Sequence, residues 1–491
     1  MKTRIYAALL AVLLIFTATS CRRDPIIEEE NNQFAASGDK SESAAGLQED
    51  SNADTSGGSN GTNNSGKSQA PGTASTQQNS GGGTVSSQKP NTSVKANINL
   101  SHWTSGGTTE RLSVNTVITQ MKKDYPNLNV KANFISGDYS TKMYANLAAD
   151  KESDVFMVAD GDFGRWVKAG KLEKLTSYVS KSKVVDVNAM WASATTRYRY
   201  DGKEHGKGDL YVLPKDISPR ALFYNKNLLK KYGVAEPDRL IPMNYDQFVA
   251  FLKKLTKPAD NVWGMAQINW EGLVRSYGTS LLKRDYSATN MDDPKLWDVF
   301  QKISDLIHVH KVIPSSSKLA GQGAIILFQT QQAACFDGAM YNVISMQDVS
   351  FDWDICPLPG GPDNPYASGY TGSVGYAISK NGKNKDAAYL VAEYFSGLTA
   401  QKILSEIGFN IPLYKDMANS DLFLNTGKKP RNTAAFLKAA EHQQPMDVVF
   451  TDNDQWYTVL GDRLQPLWND PASRAEKLLP SIKGELDRLI K

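Results

Sequence analysis

The stretch that decides the fold is "ADGDFGRWVKAGKLEKL", residues 159–175. It follows the apolar run "DVFMV" at 154–158 and leads into an amphipathic helical pattern. A short apolar run that breaks at Asp-Gly-Asp and enters a helix is a strand–turn–helix junction. Open α/β sheets place ligands at such junctions, beyond the carboxyl ends of their strands. One of the two acids is expected to cap the helix. The spacing gives that task to Asp162 and leaves Asp160 to face a ligand.

Working outward, the same alternation recurs. "ANINLSHW" reads as a strand, "RLSVNTVITQMKKDYP" as a helix stopped by Pro126, "NVKANFI" as a strand and "YSTKMYANLAAD" as a helix. This β-α-β-α-β opening predicts a mostly parallel sheet with helices on both faces. Downstream, "RALFYNKNLLKKYGV" runs from strand to helix. The pattern continues through "YDQFVAFLKKLTK", "PKLWDVFQKISDLIHVHKV", "AACFDG", "GYAIS" and "AAYLVAEYFSG", and the chain ends in helices. The fold class is α/β. The part from Val94 onward exceeds one ordinary hydrophobic core, so two lobes are expected.

The front of the chain speaks for a place of work. "MKTRIYAALLAVLLIFTATSC" has Lys2 and Arg4, an apolar run and then small residues, the layout of a secretory signal peptide over 1–20. Ala18-Thr19-Ser20-Cys21 resembles a bacterial lipobox, with Ala18 where Leu is usual, so Cys21 is the expected site of lipidation. A membrane-anchored, extracytoplasmic protein follows from that. From 21 to 94 the chain is rich in Ser, Gly, Asn and Gln and is expected to be a disordered tether. "GTNNSGKS" at 61–68 satisfies the phosphate-loop pattern without the strand and helix that its mechanism needs.

Composition excludes some classes. Lys plus Arg total 55 against 52 Asp plus Glu, a formal charge of +3, and no basic stripe or RNA motif stands out, so no nucleic-acid partner is expected. Cys335 and Cys356 lie in strand-like runs and read as buried thiols, with a disulfide as the alternative outside the cytoplasm. His308 and His310 are two apart and point to different helix faces, so no metal site is expected and no cofactor is implied.

"DVFMVADGDFGRWVKAGKLEKLT", "GDLYVLPKDISPRALFYNKNLLKKYGV" and "YTGSVGYAISKNGKNKDAAYLVAEYFSG" together resemble the extracellular solute-binding proteins of family 1, the maltose-binding-protein-like group that serves ABC importers. The resemblance runs in order from about residue 96 to the end. It implies a two-lobed periplasmic-binding-protein-like fold of type II, with the ligand in a cleft between lobes. By analogy the chain crosses between lobes near 215–218, 371–373 and 414–417. One lobe then takes 95–215 with 374–414, and the other 216–371 with 416–491. The implied activity is binding without turnover, by a monomer whose partners are a carbohydrate and the importer's permease subunits.

A sugar site needs flat apolar platforms and groups that exchange hydrogen bonds with hydroxyls. The resemblance implies platforms at Trp103, Trp270 in "QINWEGL" and Trp456 in "DQWYTVL", with Tyr370 beside the second crossing. It implies polar contacts at Asp160, at Asp216 and Arg220 in "PKDISPRALFYNK", and at Asp337 in "CFDGAMYN". Asp216 and Arg220 could also pair with each other across the hinge. Relatives often carry a Trp after that Asp-Gly, where this chain has Ala339-Met340-Tyr341, which weakens any inference to maltose itself. Asp160 with Asp337 could also serve a secreted glycoside hydrolase or lyase as an acid pair. A non-sugar solute is the other alternative.

Overall fold

The computed structural model describes residues 93–104, 108–319, 323–367, 372–408, 410–444, 447, 450 and 453–490. The expected signal peptide, Cys21, the expected tether up to residue 92 and Tyr370 lie outside the described residues.

Eleven strands are described: β1 (Ala96–Thr104), β2 (Leu128–Ser136), β3 (Val155–Ala159), β4 (Arg199–Tyr200), β5 (Asp209–Leu210), β6 (Leu213–Pro214), β7 (Arg220–Asn225), β8 (Trp263–Met265), β9 (Ala333–Ala339), β10 (Trp353–Cys356) and β11 (Val374–Ile378). The helices that position the site are α1 (Thr108–Asp124), α2 (Tyr139–Ala148), α3 (Asp160–Lys168), α4 (Tyr245–Leu255), α5 (Trp270–Val274), α6 (Pro294–His308), α7 (Lys385–Ser396), α8 (Leu398–Ile407), α9 (Ala434–His442), α10 (Asn453–Asn469) and α11 (Ala475–Leu489).

The strands form a five-stranded sheet in the order β2-β1-β3-β11-β6, a four-stranded sheet in the order β10-β7-β9-β8, and the small β4–β5 hairpin. The α/β class holds, with one correction. Strand directions are mixed rather than mostly parallel. In the first sheet β1 pairs in parallel with β2 and β3, but β11 is antiparallel to both β3 and β6. In the second sheet β7 is antiparallel to β9 and β10, and only β8 with β9 is parallel. The physical reason is the route of the chain. β11 enters the first sheet from the second one, not through a right-handed helical crossover, so nothing obliges it to run parallel.

Burial explains the patterns. All but the last residue of β3, "VFMVA", are buried, because strands flank it on both sides and helices cover the sheet. β7 shows period two: Ala221 and Phe223 join the first core, whereas Leu222 and Tyr224 join the second. α4 buries Phe248, Val249, Phe251, Leu252 and Leu255 and begins with a capping box between Asn244 and Gln247. α6 begins at Pro294 behind the capping carboxylate of Asp293.

Cys335 and Cys356 are both buried free thiols. They lie on β9 and β10, the two neighbours of β7. Two strand spacings amount to about 9–10 Å, beyond the roughly 7 Å over which a disulfide can form. The disulfide alternative therefore falls.

Three chain segments join the sheets. Between β6 and β7, the amides of Lys215 and Asp216 donate to the Val374 carbonyl and the Ser218 amide donates to that of Gly372. The second joins β10 to β11. The third passes Ile411, which bridges to Ile217, and later Asn432, whose amide donates to Asp354 Oδ1 at 2.9 Å.

Candidate functional site

Asp160 is the first residue of α3, directly after β3. The helix leaves the strand without a side-chain cap: the N-cap position is Ala159, so Asp162 does not cap it. Asp162 is buried and accepts from Ser140 Oγ at 2.9 Å. Both acids sit in the first helical turn, where the positive end of the helix dipole favours them. Asp160 differs from its expected place: it is 3% exposed and forms a buried ion pair with Arg197 Nη1. Arg197 is held in turn by its Nε, which donates to the Ser193 carbonyl at 2.6 Å. Burial pushes the Asp160 carboxyl up to about 6, against the pull of Arg197.

Asp216 lies in the first crossing and is 5% exposed. Its Oδ2 accepts from Lys215 Nζ at 3.0 Å and its Oδ1 from the Val374 amide at 3.1 Å. Ser373 Oγ donates to the Asp216 carbonyl at 2.6 Å. Asp216 thus ties the segment between β6 and β7 to the start of β11. Beside it, His102 is fully buried, with Nε2 3.1 Å from Glu110 Oε1 and Nδ1 3.1 Å from the Tyr376 hydroxyl. Burial lowers its pKa.

On the second sheet, three expected residues come together. Arg220 at the start of β7 donates through Nε to Asp337 Oδ1 and through Nη2 to the Asp337 carbonyl, both at 2.6 Å. Asp337 Oδ2 accepts from the Asn269 amide at 2.8 Å. Asn269 then caps α5 by accepting from the Gly272 amide. That cap starts α5 at Trp270, one residue on from the Asn269 amide that meets Asp337. Trp270 is half-buried, its ring 5.3 Å from that of Phe300.

A family model for bacterial extracellular solute-binding proteins matches residues 106–402, more than half of the chain. The chain belongs to that family. A solved ABC substrate-binding protein of Listeria monocytogenes, in complex with cycloalternan, superposes with a TM-score of 0.70 at 23% identity, covering 80% of this chain and 99% of that one. The galactooligosaccharide-binding protein of Bacillus subtilis is 22% identical over 352 residues, 68% of this chain and 77% of its own. The erythritol/L-threitol-binding protein of Mycolicibacterium smegmatis is 22% identical over 330 residues, 62% of this chain and 67% of its own.

Within this solute-binding protein the remaining expected residues are scattered. Trp103, near the end of β1, is half-buried against the first core. Trp456, expected as a platform, is 0% exposed and belongs to the second core, because α10 turns that face toward α6 and α11. Its Nε1 has no hydrogen-bond partner among the described residues. Sequence reasoning missed Arg197, Lys215 and Asn269. Lys215 was in view beside Asp216, and Asn269 beside Trp270 has the N-cap residue type. Arg197 in "TTRYRY" carries no local signal, since its partner is distant in sequence.

Proposed function

We propose that this solute-binding protein captures a carbohydrate, mono- or oligosaccharide, between its two sheet-bearing units. It delivers that sugar to the membrane permease of an ABC importer. It acts as a monomer, without turnover, on the extracytoplasmic face, held by a lipid on Cys21. Among the described residues no helix is long and apolar enough to cross a membrane.

The observation that carries the reading is charge matching. Asp160 has Arg197, Asp216 has Lys215 and Asp337 has Arg220. No one of these three acids is left uncompensated to attract a charged solute. Carboxylates accept and guanidinium groups donate in directed, charge-assisted hydrogen bonds, which suits a neutral polyhydroxylated solute. Half-buried Trp270, next to the Arg220–Asp337 pair, offers an apolar face for a pyranose ring. Sugar-binding relatives support the same class. In this reading Trp270, Trp103, Arg220 and Asp337 meet the sugar, Tyr370 joins them from the second crossing, and Asp160, Asp216 and Trp456 hold the framework.

The test is a thermal-shift panel of neutral sugars, uronates, amino acids and glycerophosphodiesters. A ligand at 100 times its Kd stabilises the native state by about 2.7 kcal/mol. A neutral sugar should raise the midpoint, and Trp270→Ala should weaken its binding by about 1–3 kcal/mol. A response confined to charged or non-sugar solutes overturns the carbohydrate reading, and conversion of a sugar to product overturns the binding-only reading.

A further inference from the structure

The β4–β5 hairpin belongs to the first unit. The Leu175 amide donates to the Leu210 carbonyl and that of Tyr211 to Tyr198. Its turn is braced from within: Asp201 Oδ1 accepts from the amides of Lys203 and Glu204, and Arg199 Nη1 donates to the Gly208 carbonyl at 2.9 Å. The stiff hairpin presents Tyr200 and His205. Both rings meet Phe450, at centroid distances of 4.9 and 6.5 Å. Phe450 also meets Tyr286 of the second unit at 5.1 Å, edge to face. Asp447, three residues earlier, is tied to the second unit by Arg275 and by the Leu281 amide. Behind the hairpin, His205 Nε2 lies 2.6 Å from the Arg197 carbonyl, and its ring is 5.7 Å from Phe163 on α3. A second contact crosses between the units nearby, where α3 lies against α10.

We infer that the hairpin is a cross-unit clasp, and that Tyr200 sets solute affinity as a positioning residue by favouring the arrangement in which the units meet. The inference rests on the reading that the solute is held between the two units, but on no particular solute. Opening the units separates Tyr200 and His205 from Phe450 and exposes three aromatic faces to water. Each aromatic pair is of a size that biases such an equilibrium about fivefold to tenfold. A solute that needs the closed arrangement then binds with an apparent affinity reduced by the closed fraction, so removal of the clasp weakens binding by the same factor.

The test uses the full chain in a Cys21→Ser background, without sugar. Spin labels go on Lys168→Cys of the first unit and Arg284→Cys of the second, both exposed sites. The native thiols Cys335 and Cys356 are buried. Pulsed electron–electron resonance then reads the distance between units. The parent should populate a short distance, Tyr200→Ala should move weight to longer distances by the stated factor, and Tyr200→Phe should restore the parent distribution. Phe450→Ala, on the other side of the contact, should reproduce the shift. Identical distributions for parent and both alanine variants overturn the inference, as does a parent with only the long distance. Since no sugar is present, failure of the carbohydrate reading leaves this outcome unchanged.

Discussion

Asp160 and His205 lie on opposite sides of one arginine and respond to acid with opposite sign. Arg197 gives its guanidinium to Asp160 and its carbonyl to His205. Burial raises the Asp160 carboxyl to about 6, so between about pH 4 and 6 the folded chain holds a proton that the unfolded chain releases. Stability from this group therefore grows as pH falls through that window. Burial, with Arg197 and Arg275 close by, lowers His205 to about 4, so its contribution is full above about pH 6.5 and is lost as pH falls toward 4. Urea unfolding at pH 7 and 4.5 should separate the two. The stability of the parent relative to Asp160→Asn should rise on acidification, and relative to His205→Gln it should fall, each by no more than about 3 kcal/mol. Changes of the same sign for both variants would refute the assignment. Asp160 and Asp337 stood out as candidates in the sequence because each follows an apolar run. Their pairing did not: Arg220 was in view but was offered to Asp216, whereas it pairs with Asp337 and Asp216 pairs with Lys215. The ion pair between Arg197 and Asp160 is a tertiary contact with no spacing to betray it.

At the scale of elements, two glycines make separable predictions. Gly170 follows α3 with φ +68°, the left-handed conformation that ends many helices, and a Cβ there meets nothing within 4 Å. Gly170→Ala should cost about 1 kcal/mol, from backbone preference alone. Gly338 in β9 has no such φ, but a Cβ there would fall 2.6 Å from Phe336 Cε2 and 2.7 Å from Phe223 Cε2. Gly338→Ala should cost about 1–3 kcal/mol through overpacking. The overpacking should surface as altered near-ultraviolet circular dichroism, which the Gly170 variant should leave unchanged. The elements themselves were largely visible in the sequence, since β3 is an unbroken apolar run and α4 shows helical spacing. Strand direction was not visible, because a run such as "VGYAI" reads the same whichever way its neighbour points. The start of α3 was misjudged because the helix begins at Asp160, which puts Asp162 inside the first turn, where it accepts from Ser140 instead.

For the molecule as a whole, the alternation of strands with helices followed from the sequence pattern. The tie from Asp216 to Val374 did not, because it joins residues that are remote along the chain. The same remoteness bears on the order of assembly. β11 lies between β3 and β6, yet it is made only after the whole second sheet. Until residues 374–378 have emerged, one edge of β3 has no partner, and a bare apolar strand edge invites wrong pairing. The second sheet draws its strands from residues 220–356 alone, so it can zip up first at a lower cost in loop closure. Pulse-labelled hydrogen exchange during refolding should find protection in β7 and β9 before β3, and simultaneous protection of all three would count against it. A chain exported amino end first would thus cross the membrane with its leading half waiting for its trailing half, and would need to stay unpaired for most of its own synthesis.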